Sequence, residues 1–168
     1  MPTGLKQSSS VVSIGFQVDE SAANTFTQTS VDLNLSPLDR EVFVVLAVNL
    51  DINSPDMITG VPTNTKGALT TTSQTAVPSL ADANCLARIT NAIQTDATCA
   101  VGFVSGALET PPATLEYIGI IATNDFFVQT QGNGNLNAGA CKGKLYGYRA
   151  VASADIYAAL VQSEVLSA

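Results

Sequence analysis

Glu41-Val-Phe-Val-Val-Leu-Ala-Val-Asn-Leu-Asp-Ile52 is the stretch whose reading decides the fold. Val, Ile and Phe, the residue types that fit a pleated and half-buried surface, crowd into it. Val42, Val44, Leu46, Val48, Leu50 and Ile52 alternate onto one face. The other face is polar at its ends but carries Phe43, Val45 and Ala47 in its middle. A strand apolar on both faces is covered on both sides, so the spacing predicts a central strand of a packed sheet.

Toward the N-terminus, Ser36-Pro37-Leu38-Asp39 reads as the turn feeding this strand. Pro37 closes a run over residues 25–35 in which Val31, Leu33 and Leu35 alternate with Asp32 and Asn34. Earlier still, Val12, Ile14, Phe16 and Val18 alternate with Ser13, Gly15 and Gln17, the period of a strand. Toward the C-terminus, residues 51–64 hold Pro55, Gly60 and Pro62 among Asn and Asp, the composition of a long surface loop, and the Thr-rich residues 69–77 predict an edge strand. Residues 79–93 fit either a short helix capped by Ser79 and carrying Leu80, Leu86, Ile89 and Ile93, or a strand through Leu86-Ala-Arg-Ile89. Residues 99–106 read as a short strand, Pro111-Pro112 as a break, and residues 115–123, 126–130 and 142–151 as β-prone runs. The Gly- and Asn-rich residues 131–140 predict a flexible hairpin tip. From Ser153 the spacing turns helical, with Ser153 as N-cap, Asp155 in the first turn and Ile156, Leu160 and Val161 toward one side.

About eight short strands punctuated by turns, with one helix over residues 153–166, predict an all-β protein. The expected architecture is an antiparallel sandwich of jelly-roll type, in a single domain spanning residues 1–168 with residues 1–8 as a flexible N-terminus. An immunoglobulin-like sandwich is disfavoured by the lack of Trp and of a Cys pair spanning the core.

Charged residues make up only 12% of the chain and the net charge is −7. The bases are dispersed as Lys6, Arg40, Lys66, Arg88, Lys142, Lys144 and Arg149, and without a basic arm no direct nucleic-acid contact is expected. Lys142 and Lys144 share one strand face and read as a solvated edge. The apolar run over residues 42–48 is far too short to span a bilayer, and Met1-Pro-Thr-Gly-Leu-Lys-Gln-Ser8 has no apolar signal region, so synthesis in a cytoplasm is expected. Cys85, Cys99 and Cys141 form no CxxC pair and read as buried free thiols.

Histidine is absent, which removes Ser-His-Asp and Cys-His catalysis and His-ligated zinc, and the lack of Trp removes the usual platform for sugar rings. No enzymatic activity is expected, and Asp19-Glu20, Asp51 and Asp56 read as turn and loop carboxylates. Asp51, Asn53 and Asp56 set oxygen side chains at the intervals that open a calcium loop, a candidate Ca2+ site, although Asp56 and Pro62 stand where an EF-hand needs Gly and Glu. Gly132-Asn-Gly134 lacks the Lys-Ser/Thr of a phosphate loop. Asn34-Leu-Ser36 is a glycosylation sequon followed by Pro37.

This β-rich layout, and in particular the segments of residues 41–51 and 142–149, resembles small single jelly-roll capsid proteins of icosahedral viruses. The resemblance implies a virion subunit that assembles with copies of itself and with other capsid proteins, without a cofactor. Given the missing basic arm, it also implies that a second protein or a lipid layer lies next to the genome. The candidate contacts are edge strands, the helix residues Ile156, Leu160 and Val161, and the pair Tyr146 and Tyr148. The alternative is a receptor- or glycan-binding sandwich whose loops, residues 51–66 and 131–140, carry recognition.

Overall fold

A computed structural model describes residues 2–106 and 115–167, so the Pro111-Pro112 break lies outside the described residues. The long apolar segment is strand β4 (Glu41–Ile52). It lies between β10 (Ala140–Ala152) and the short β8 (Gly119–Ile121). On its far side β10 is lined end to end by β1 (Leu5–Gln7) and β2 (Val12–Asp19). The second sheet runs β3 (Thr27–Asp32), β9 (Asp125–Asn133), β5 (Thr63–Thr70), β6 (Cys85–Thr95), β7 (Ala100–Gly106). Every pairing is antiparallel. With β1 and β7 set aside, β2-β10-β4-β8 faces β3-β9-β5-β6, and the chain changes sheet at almost every connection. That is the double Greek-key connectivity of a jelly roll, as the strand spacing predicted.

Between the sheets lies a core of Phe16, Val18, Phe43, Val45, Phe126, Val128 and their neighbours, in which the Phe16 and Phe126 rings meet edge to face at 5.8 Å. A second core lies on the outer side of the first sheet. There Leu5, Val42, Val44, Tyr148 and Ala150 are covered by Ile156, Tyr157, Leu160 and Val161 of helix α1 (Ala154–Leu166). Ser153 takes the N-cap position with extended backbone, without a side-chain capping bond.

These two cores correct the reading of β4. Its register against β10 shifts between Tyr146 and Gly147, where Tyr146 pairs with Ala47 but Gly147 with Val45, so Leu46 is an extra residue. Such a bulge reverses which side chains face inward. Val42, Val44 and Leu46 therefore lie under the helix, while Phe43, Val45, Val48 and Leu50 line the interior.

Four further expectations change. Residues 5–7, within the expected flexible N-terminus, form β1 against β10, and Leu5 is buried beside the helix. The Thr-rich edge strand over residues 69–77 is replaced by β5 at residues 63–70, which is central, between β9 and β6. Its Thr63 and Thr65 point inward because their hydroxyls donate to the carbonyls of Asp56 at 2.7 Å and Asn53 at 2.6 Å. Lys142 and Lys144 lie on β10, a central strand, so they mark its outer face and not an edge. The ambiguous residues 79–93 resolve as a loop leading into strand β6.

Candidate functional site

One end of the sandwich gathers the loops of residues 20–26, 53–62 and 134–139 through a net of polar side chains, of which Glu20 and Asn135 are buried. Glu20, at the end of β2, is buried, and its carboxylate accepts the N–H groups of Gly132 and, at 2.7 Å, Gly139. Asn135 is also buried: its Oδ1 accepts the Asp56 N–H at 2.9 Å and its Nδ2 donates to the Asn64 carbonyl at 2.8 Å. Asn24 closes the ring, taking the Asn135 N–H at 2.9 Å and donating to its carbonyl at 2.9 Å, with its own backbone at a positive φ of 63°. Gly134, at φ 73°, fits here because a Cβ would lie 2.8 Å from the Pro62 carbonyl oxygen.

The expected tip over residues 131–140 is therefore the end of β9, a hydrogen-bonded turn at residues 134–139 and the first residue of β10. The N–H groups of Gly132, Asn135, Leu136, Asn137 and Gly139 find acceptors on Glu20, Asn24 and Asp56 of the adjoining loops. Around this frame Met57 and Leu136 are 77% and 76% exposed, with Val61 beside them against Gly134. The net presents apolar side chains to the outside.

Of the cation candidates, Asp56 has its carboxylate engaged by the neighbouring loop. Oδ2 of Asp56 accepts the N–H groups of Leu136 at 2.8 Å and Asn137 at 2.9 Å and the Asn137 Nδ2 at 3.2 Å, and these bonds hold its carboxyl below the usual carboxylate range. Asn53 uses its N–H on the Ala140 carbonyl and its carbonyl on Thr65. Asp51 is exposed on β4, opposite Lys142. Among the described residues no group of three or more His, Cys, Asp or Glu side chains is placed to hold a metal ion.

The residues expected at an interface between subunits are divided. Ile156, Leu160 and Val161 rest on the chain's own first sheet. Tyr148 is buried under the same helix, where burial first and then the Glu116 charge raise its pKa. Tyr146 lies outside that core, half-buried between Ser13 and Ala47. Of the large apolar residues of the helix only Val165 and Leu166, at its last turn, stay widely exposed.

That last turn holds a residue the periodicity did not single out. Glu164 is buried, and its two oxygens accept the N–H groups of Ala122 and Thr123, each at 3.0 Å, in the turn before β9. Burial raises its pKa, against the opposing effect of those bonds. A buried carboxylate leaves no mark in hydrophobic spacing, and neither Glu20 nor Glu164 has a sequence neighbour that would reveal its partner. The thiols are all free, but only Cys141 is buried, and its pKa is pushed up to about 12 by burial and by Asp51; Cys85 is half-buried and Cys99 exposed.

No protein-family model matches the chain, and no curated protein matches it. Among solved structures the chain is similar to one from Desmodium yellow mottle tymovirus, at 13% identity over 92% of this chain and 89% of that one, with a TM-score of 0.30. It also has a likeness, at 11% identity over 72% of this chain and 20% of that one and a TM-score of 0.17, to the tailspike protein gp49 of the Acinetobacter baumannii bacteriophage Fri1, a capsular polysaccharide depolymerase. Both likenesses are weak and at the level of class. No helix among the described residues is long and apolar enough to cross a membrane.

Proposed function

We propose that the chain is a non-catalytic structural subunit that assembles with copies of itself into a closed shell, a viral capsid or a similar particle. The observation that carries this reading is the shaped end of the sandwich, where a hydrogen-bond net built on buried Glu20 and Asn135, and completed by half-buried Asp56 and exposed Asn24, holds Met57 and Leu136 out from the surface. Both cores are already closed within one chain, so these side chains serve no internal packing. Apolar groups held outward in fixed geometry fit a contact with another protein. The jelly roll is a scaffold of capsid subunits and also of lectin domains, so the fold leaves two classes to separate.

The second reading, a binding module, is favoured by the same convergence of residues 53–62 and 134–139 at one end, where loops commonly carry recognition. Size-exclusion chromatography and negative-stain microscopy of the purified full chain divide the two. Particles far larger than the 17.3 kDa chain support the shell. A monomer that binds glycans on an array supports the module and ends the shell reading.

A further inference from the structure

Strand β2 pairs with β10 along one side only, and among the described residues nothing pairs with its other side. In an antiparallel pair alternate residues turn their N–H and C=O groups away from the neighbour, so β2 presents a row of free donors and acceptors outward. Proteins ordinarily guard such an edge with Lys, Pro, a bulge or extreme shortness. Over residues 12–18 β2 has none of these: no charge, no Pro, an unbroken register against β10, and a strand length of 8 residues. The other edges with fully described surroundings differ. β8 is only 3 residues long, and β3, which like β2 ends in an Asp, is tied at Gln28 to Ser73 and Gln74 of the loop after β5.

The surroundings of β2 admit a neighbour. Residues 7–18 are uncharged in a chain of net charge −7, so two copies meet there without like charges opposed. Val11 and Val12 are exposed at its start, and a side chain added at Gly15 meets nothing closer than the Gly143 carbonyl oxygen at 4.0 Å.

Resting on the self-assembly reading above, we infer that β2 pairs antiparallel with β2 of a second copy, joining the two five-stranded sheets into one continuous sheet across a twofold axis. A twofold contact places the same segment on both partners, and an uncharged strand centred near Gly15 is compatible with itself in that arrangement. The partner is recognised mainly through its main chain, as in strand addition to a sheet edge.

The test uses the full chain and two variants. Ser13→Lys with Gly15→Lys places like charges along the outer side of the joined edge. Gly15→Cys, in a Cys99→Ser background, places a thiol near the proposed axis. Wild type is followed by analytical ultracentrifugation and by deuterium exchange across a concentration series. The expected results are concentration-dependent protection of the β2 amides without a change at β3, association weakened at least 10-fold in the double-Lys variant while its circular-dichroism spectrum stays that of wild type, and a disulfide-linked dimer of the Gly15→Cys variant on mild oxidation. If the double-Lys variant misfolds, the exchange and cross-linking results decide. Association of wild type with no protection at β2 and no cross-link overturns the β2 contact and leaves the assembly reading standing. A wild type that stays monomeric at all concentrations overturns both.

Discussion

Removing the Glu164 carboxylate tests whether the terminal helix belongs to the fold or to the contacts between subunits. In Glu164→Ala the N–H groups of Ala122 and Thr123 lose their acceptors. A buried donor left without a partner costs about 1–3 kcal/mol. Ala122 is 5% exposed and meets most of that cost, whereas Thr123 is half-buried and recovers some of it from water. The desolvation that raises the carboxyl's pKa disappears with it and offsets part of the loss. A net destabilisation of about 2 kcal/mol follows, or a fall of about 4–8 °C in melting temperature for a domain of this size.

Glu164→Gln supplies the pH arm. The native carboxyl titrates above its unfolded value of 4.5, so over that interval the folded chain holds a proton that the unfolded chain has released. This stabilisation is complete below about pH 4.5 and is lost as the pH rises through the native pKa. The stability of wild type relative to Glu164→Gln therefore falls with rising pH across that window and is level above it. Circular-dichroism melts of the three proteins at stepped pH measure both arms. An Ala variant within about 0.5 kcal/mol of wild type, or a wild-type advantage over Gln that grows with pH, refutes the reasoning.

Three other expectations follow from the same structure. A chain ending at Ala152 uncovers Val42, Val44 and Ala150, and should melt at least about 10 °C lower or precipitate, as seen by light scattering during a melt, because several buried apolar side chains are each worth about 1.5–3 kcal/mol. Gly143→Ala drives a methyl group into the Asn49 carbonyl and the Phe16 ring, and should cost about 3 kcal/mol or more in urea denaturation, beyond the usual range for overpacking. Asp56→Ala should lower the melting temperature at neutral pH by releasing the Leu136 and Asn137 amides; since the pKa of Asp56 is depressed, the difference from wild type should persist above the unfolded value of 3.8 and close only as the pH falls through the native one, while millimolar calcium shifts neither protein.

The alternation in β2, the apolar density of β4 and the helical spacing after Ser153 were enough to read a two-sheet sandwich with a terminal helix. The bulge at Leu46 was not readable, because residues 42–48 are apolar throughout. Both faces of that half of β4 are buried, one by the second sheet and one by α1, so a change of phase leaves no polar residue out of place. β5 was hidden for the opposite reason. Its inward Thr63 and Thr65 look like loop residues until the carbonyls of Asp56 and Asn53 are seen to take their hydroxyls, and its Gly67 looks like a turn until Cys141 is seen to need the space, its sulfur lying 2.7 Å from where a Cβ would sit. The loop end was half readable. Its Gly and Asn content marked turns, but the pairing of Asn24 with Asn135 spans 111 residues and has no local signature.

The reassignment of the helix redistributes the surface left for contacts between copies. Sequence spacing left Ile156, Leu160 and Val161 as surplus apolar residues because the outer face of β4 was counted as interior. Once the bulge turns Val42, Val44 and Leu46 outward, the helix has a face to cover, and its apolar side chains are accounted for within one subunit. What remains outward among the described residues includes, besides scattered apolar side chains such as Leu38, Leu80 and Val165, two kinds of group: apolar side chains on loops fixed by polar nets, at Met57 and Leu136, and unpaired main-chain groups along β2. The first kind supplies area without fixing a direction, since apolar contact is non-directional. The second fixes direction and register but supplies little area. On the proposed self-assembly, a chain that meets its copies at a defined angle needs both, and here they lie on separate elements, so a substitution at one should weaken association without altering the geometry set by the other.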